Sequence, residues 1–345
     1  MSQPAYASPR SFADIRALLA NLPGPSEARA AEARSRQAEL TKPAGSLGRL
    51  EEIAEFLAAW QGRAMPLLDH PLVLVFAGNH GVAARGVSAY PASVTEAMVA
   101  NFAAGGAAIN QICAVFGLDL DVVVLDLDRP TQDCTRAPAM SEAETMAAFA
   151  RGMEAVPDGA DLVAVGEMGI GNTTSAAAIY AALYGGKAGF WAGRGTGLDD
   201  PGLMRKIAAM EAALAYHKGQ LDDPLEVLRR LGGFEIAAMA GAIVAARLKR
   251  APVLVDGYVA CAAAAILHAQ EEGVIAHCLA GHVAAEGAHA EVLRRIGKPP
   301  LLDLGMRLGE ASGAALAAGI VKAALACHRG MATFASASVA RKLDT

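Results

Sequence analysis

Short apolar runs alternate with long alanine-rich segments over most of this chain. The runs are Leu72 to Phe76, Asp121 to Leu125, Leu162 to Val165, Ala188 to Trp191, Pro252 to Val255 and Val274 to His277. The run Asp161 to Val165 is too apolar for a sheet edge and suits a parallel strand covered on both faces. The segments between the runs carry the spacing of helices. Repeated strand and helix alternation predicts an α/β fold, an open, mostly parallel Rossmann-like sheet with helices on both faces. The ends read differently. Helical patterns cover Ser11 to Ala20, Ser26 to Leu40, and a segment capped by Ser46 that runs to about Trp60 with Leu50, Ile53, Phe56 and Leu57 on one face. From Gly309 to Phe334 the pattern is helical again. A small helical domain from residues 1–65 with 310–345, beside an α/β catalytic domain over 66–309, is the expected organisation.

Composition narrows the class. Hydrophobic residues make up 54% of the 345 and the mean hydropathy is +0.31, which raises the question of a membrane. The excess is mostly alanine, and no run of about 18 apolar residues passes without a charge, Gly or Pro, so packed helices are expected and a membrane is not. The N-terminal MSQPAYASPRSFADIR has no apolar signal core, which predicts a cytoplasmic protein. A net charge of -5 without a basic cluster argues against nucleic acid as a partner. The five cysteines, widely spaced and without a CxxC pair, read as small buried hydrophobes in a reducing compartment.

Ligands of open parallel sheets bind outside the carboxyl ends of the strands. The loops expected there are GNHGVAARGVSAYP (78–91), GEMGIGNTT (166–174), GRGTGLDDP (193–201), DGYVAC (256–261) and GHVAAEGAH (281–289). Five such loops converging on one cleft point to an enzyme. In the second, Gly169 and Gly171 permit tight turning before a helix expected near Ser175, whose N-terminus attracts anions. Glu167 is out of place beside an anion unless it meets ribose hydroxyls or a developing positive charge. The plainer alternative is an ordinary strand-to-helix turn whose acid caps a neighbouring helix.

Other site types fit less well. Gly193, Gly195 and Gly197 have the wrong spacing for a dinucleotide fingerprint, and no Walker loop follows a strand. Val122 to Asp128 mimics the acidic loop of enzymes that use phosphoribosyl pyrophosphate but lacks the small-residue turn that would hold the phosphate. Phosphoribosyl chemistry here would use a donor with one phosphate. His277, His282, Glu286 and His289, with His80 in another loop, raise a metal-dependent hydrolase as a rival, but the spacing is not that of HExxH and no metal or other cofactor is assigned. Arg307 and Glu310, flanked by Gly305 and Gly309 before an alanine-rich helix, read either as a helix-start ion pair or as a desolvated general base with its neighbour. The residues alone leave both open.

Taken in order, LTKPAGSLGRLE (40–51), GEMGIGNTT, GRGTGLDD with Lys206 behind it, LGGFEIAAMAGAI (231–243), PVLVDGYV (252–259) and MRLGEASGAAL (306–316) carry a resemblance over almost the full length. The chain resembles the nicotinate-nucleotide:dimethylbenzimidazole phosphoribosyltransferase family. The resemblance implies transfer of ribose 5-phosphate from nicotinate mononucleotide to 5,6-dimethylbenzimidazole, with Glu310 as general base and Glu167 as a second catalytic acid residue. It implies substrate contacts from Lys206, Arg307, Leu308 and the turn of Gly169, Ile170, Gly171, Asn172 and Thr173. Tyr90 and Met98 are the residues it offers to the aromatic base, and a homodimer is the implied assembly. Two departures stand out: Ala284 replaces the family's usual Ser in the His-x-Ser-x-Glu segment, and the tail lacks the acid often found after ATF.

Overall fold

The computed structural model describes residues 8–340; the outermost parts of the N-terminal segment and of the tail, 1–7 and 341–345, lie outside the described residues. Six strands form one sheet: β1 (Pro71–Ala77), β2 (Asp119–Val124), β3 (Leu162–Met168), β4 (Val253–Val255), β5 (Cys278–His282) and β6 (Pro300–Leu302). Every pairing is parallel and the order is β2-β1-β3-β4-β5-β6. The Rossmann-like α/β expectation therefore holds.

Fourteen α-helices surround the sheet among the described residues. Before β1 come α1 (Phe12–Leu19), α2 (Glu27–Glu39) and α3 (Arg49–Gln61); between β1 and β2 lie α4 (Ser93–Ala103) and α5 (Ala108–Phe116). Next are α6 (Glu142–Ala155), α7 (Asn172–Tyr184), α8 (Ala188–Trp191), α9 (Asp200–Tyr216), α10 (Pro224–Leu231) and α11 (Phe234–Leu248). The chain closes with α12 (Tyr258–Gln270), α13 (His289–Arg295) and α14 (Ser312–Gly330). Local chemistry starts several of them. Ser11, Ser26, Ser141, Asp199 and Asp223 each accept a first-turn N–H, and Pro201 and Pro224 occupy first-turn positions where no donor is needed.

Strand alternation divides the interior in two. Leu74, Phe76, Val163 and Val165 face a core shared with α6, α7, α10, α11 and α12, whereas Val73, Val75, Leu162 and Ala164 face one shared with α3, α5 and α14. Small residues set the helix spacing. At Gly152 in α6 a Cβ would lie 1.7 Å from the carbonyl oxygen of Ala238 in α11, and one at Gly241 would lie 1.9 Å from that of Phe149. The helices of the two chain ends meet where α3 packs on α14, and both also cover the sheet.

Several local expectations are corrected. Ala188–Trp191 is a short helix rather than a strand; the Trp191 indole donates to the Gly185 carbonyl at 2.8 Å and curls the segment. Val274 lies in a 3-10 turn, Glu272–Ile275, with its carbonyl accepting from Arg247 at 2.8 Å, so the strand begins only at Cys278. Ser46 does not cap α3: the helix begins after Gly48, whose φ of 52° no side chain would favour. The last helix stops at Gly330, and Thr333 makes an isolated bridge with Leu40. The half-buried β6, opened by a proline, gave no sequence signal. The stretch 93–116 is long and apolar enough to cross a membrane by length and composition, although the turn at Gly105 breaks it into α4 and α5.

Candidate active site

The sheet order makes β1 the switch point: β2 lies on one side of it and β3 on the other, which opens a crevice at their carboxyl ends. Glu167 sits there, level with Phe76 of β1. One residue earlier, Gly166 has no room for a side chain, since its Cβ would lie 2.2 Å from the backbone nitrogen of Ala311. The 309–312 turn can therefore lie directly on β3. The Glu310 N–H donates to the Glu167 carbonyl at 3.1 Å, joining two acids 143 positions apart by difference of their numbers. The turn is strained to do so. Gly309, Glu310 and Ala311 have φ of 81°, 59° and 58°, and the last two are the only adjacent non-glycine residues of that kind among those described. Left-handed non-glycine residues cost about 1 to 3 kcal/mol each and concentrate at functional sites.

Electrostatics distinguish these acids from surface carboxylates. Burial pushes Glu167 up to about 8, with Glu235, Asp256 and Glu310 adding repulsion and the Asn172 side-chain amide opposing it. Burial, then Asp256, pushes Glu310 up to about 7. Asp256 itself is raised by burial, against the pull of His282 and of the N–H groups of Ala314, Gly313 and Gly257. Both acids thus hold their protons to higher pH than surface carboxylates do, Glu167 more so than Glu310.

Two cations stand at or behind the cleft wall. Arg307 is exposed and donates to the Gly195 carbonyl at 3.0 Å. Lys206 on α9 is fully buried behind the wall; its ammonium donates to Thr173 Oγ1 at 3.0 Å and the Gly193 carbonyl at 2.9 Å, and stands 4.0 Å from Glu286. Burial lowers it to about 8, with Glu286 pulling the other way. Glu286 also accepts from the Gly195 N–H at 3.0 Å, so one acid braces the 193–197 turn against α9.

The structure brings together most of the residues singled out in the sequence. Glu167, Gly169, Ile170, Asn172, Thr173, Arg307 and Leu308 line one cleft with Gly257, Tyr258, His282, Ala284 and Glu286. Glu310 joins it through its bond to Glu167, Lys206 through Thr173, and Gly171, with φ of 96°, by starting α7. Helix α7 begins at Asn172 rather than Ser175, which aims the Asn172 amide at Glu167. Fewer turn donors are spare than the glycine spacing implies: the N–H groups of Ile170, Asn172 and Thr174 already bond to Thr95, Gly169 and Gly171. Tyr90 and Met98 stand apart from this cleft. Tyr90 lines an adjoining cavity with Asn79, His80, Glu96 and Asp128, while Met98 packs against the α14-side core. The two spaces share a wall where Gly171 lies against Ala83.

Sequence reasoning missed the supporting shell. His80 bridges Ser175 Oγ at 2.9 Å and Glu235 at 2.6 Å, all three buried. Glu235 is one of the few charges in a wholly buried, otherwise apolar α11, and that oddity was the available signal. No group of three or more His, Cys, Asp or Glu side chains among the described residues is arranged to hold a metal ion.

Comparison with known proteins agrees with this geometry. A family model described as phosphoribosyltransferase matches residues 22–339. The nicotinate-nucleotide--dimethylbenzimidazole phosphoribosyltransferase of Methylocella silvestris is 68% identical, covering 95% of this chain and 96% of its own length. The protein of the same name from Rhizobium meliloti is 61% identical, with 97% and 99% covered. A crystal structure of the Thermus thermophilus protein of that name superposes with a TM-score of 0.84 at 39% identity, covering 92% of this chain and all of that one.

Glu167 makes the fold sensitive to pH in a defined direction. A carboxyl raised from its ordinary value of 4.5 to about 8 binds its proton more tightly in the folded chain than in the unfolded one. Stability therefore falls as pH rises through that window, and the loss is complete above it. Glu167→Gln removes the titration while leaving an acceptor for Asn172. Urea unfolding should show the variant more stable than wild type by a few kcal/mol at pH 9, with the gain shrinking toward pH 5. Parallel pH profiles for the two proteins would contradict this electrostatic picture.

Proposed function

The chain belongs to the nicotinate-nucleotide:dimethylbenzimidazole phosphoribosyltransferase family, and from that premise we propose that its cleft carries ribose 5-phosphate from nicotinate mononucleotide to 5,6-dimethylbenzimidazole. The products are alpha-ribazole 5'-phosphate and nicotinate, in assembly of the cobalamin nucleotide loop. The observation that carries the assignment of roles is the pair of buried acids with raised pKa values, Glu167 and Glu310, hydrogen-bonded through their backbones in a cleft that Arg307 also lines.

Residue chemistry suits each step. The donor's pyridinium leaves as a neutral ring, so its departure needs no general acid. The attacking benzimidazole nitrogen bonds to the anomeric carbon and becomes positive, and the other ring nitrogen must then lose its proton. Glu310 takes it; a carboxylate at about 7 is matched to a general base working near neutral pH. Glu167 faces the ribose. The cationic donor favours its ionised form, and the resulting carboxylate stabilises oxocarbenium character as the glycosidic bond breaks. Attack opposite the departing ring inverts the beta donor to an alpha product. Arg307 and the Thr173 hydroxyl, backed by Lys206, are assigned to the phosphate, and Leu308 to the rim over the bound partners. Tyr90, in the adjoining cavity, is the flat surface proposed for the incoming base, with Met98 behind it.

The proposed setting is cytoplasmic, supported by five unpaired cysteines, four of them buried. A homodimer is supported by the α4–α5 surface, whose most apolar 18-residue stretch is only 22% buried. Val115, 77% exposed, lies on it. Sedimentation should find a dimer that Val115→Asp dissociates; a monomeric wild type would end that part of the proposal.

The reaction is tested by incubating the protein with both substrates and reading nicotinate release and product mass. Glu310→Gln should bind the donor nearly as wild type does but transfer it about 100 to 10,000 times more slowly, and wild-type turnover should decline as pH drops below about 7. Unchanged turnover in the variant removes Glu310 from the base role.

A further inference from the structure

Three histidines cluster around β5 and the start of α13, and two of them are ordinary satisfied core residues. His277 is hydrogen-bonded to the Ile243 carbonyl at 2.9 Å. His289 accepts from the Ala284 N–H at 2.7 Å, with Cys261 Sγ 3.2 Å from its other nitrogen. His282 differs. It is 1% exposed, yet neither ring nitrogen has a hydrogen-bond partner in the protein. Asp256 is 3.6 Å from Nε2, outside bonding range, and its nearer oxygen already accepts from the Ala314 N–H at 2.9 Å. Leaving such groups unpaired is costly, and native structures rarely do so without a use for them.

Position supplies the use. His282 lines the same cleft as Glu167, Glu286 and Arg307. Two glycines make room for its ring: a Cβ on Gly313 would fall 2.1 Å from Cδ2, and one on Gly257 would stand 3.2 Å from Nε2, leaving space beside that nitrogen. A mononucleotide bound in this cleft would bring to its walls a ribose whose hydroxyls each donate and accept. A neutral imidazole offers one of each role.

We propose that His282 is a further substrate-positioning residue that holds a ribose hydroxyl of the donor nucleotide, its ring seated by Asp256 and the starts of α12 and α14. The inference rests on the proposed phosphoribosyl transfer and adds a specificity for the ribose diol.

The test compares nicotinate mononucleotide with its 2'-deoxy and 3'-deoxy analogues on wild type, His282→Ala and His282→Gln. Wild type should lose about 10- to 100-fold in kcat/KM with one of the deoxy donors. His282→Ala should show a similar loss with the full donor and, relative to that, at most about twofold more with the same deoxy donor. His282→Gln, which retains a polar tip, should recover part of the loss with the full donor only. Comparing ratios between variants cancels the analogues' own reactivity, and the Gln variant carries the comparison if the Ala variant does not fold. Losses that multiply independently, or a wild type indifferent to both deoxy donors, would overturn the proposal. Failure of wild type to release nicotinate from any of the three donors is a separate result, which overturns the parent reaction and this inference together.

Discussion

One backbone hydrogen bond organises the site: the N–H of Glu310 on the carbonyl of Glu167. It exists because Gly166 has no side chain, so the turn before α14 can descend onto β3. The strained run from Gly309 to Ala311 is the local cost of that descent, and Ser312, whose hydroxyl and N–H bond back to the Gly309 carbonyl at 2.6 and 3.0 Å, holds it in place. Everything electrostatic about the cleft follows. Two acids from distant parts of the chain are buried together, Asp256 crowds both and Glu235 crowds Glu167, and both carboxyls are raised above the usual carboxylate range.

The alanine-rich helices serve the same end. Small side chains let α6 and α11 cross at Gly152 and Gly241 with little space between them, and they leave the interior with few polar groups to screen a buried acid. Most of the cleft's charge instead sits in the loops at the strand ends. There the exposed Arg307 bonds the Gly195 carbonyl, and the buried Lys206 stands 4.0 Å from Glu286, which also accepts from the Gly195 N–H.

Much of this was legible in the chain. Apolar runs revealed four of the six strands: β1, β3 and β4 because buried parallel strands have no polar face to confuse the reading, and β2 through its valines although it is a largely exposed edge strand; glycine-bounded loops marked the carboxyl ends of β1, β3 and β4. Ala188–Trp191 and Val274 misled because a run of four apolar residues is equally a buried turn of helix, and only tertiary partners such as Gly185 and Arg247 decide. Glu167 and Glu310 were visible as acids in the wrong company, and their alignment with a known family assigned their roles. Their direct contact was not visible, because it depends on a missing Cβ at Gly166 and on backbone angles no spacing reports. Lys206 looked like a phosphate ligand and is instead buried behind Thr173, while the His80, Ser175 and Glu235 network joins three segments with no local pattern.

The base role proposed for Glu310 depends on Gly166 letting it rest on β3. The most direct measurement is single-turnover transfer by Gly166→Ala, with far-UV circular dichroism confirming that the sheet is intact. An added methyl must displace the 309–312 turn, so the expected result is a fall of about 100-fold or more, the scale of losing a general base, in a folded protein. Turnover within about twofold of wild type in that variant would contradict this dependence.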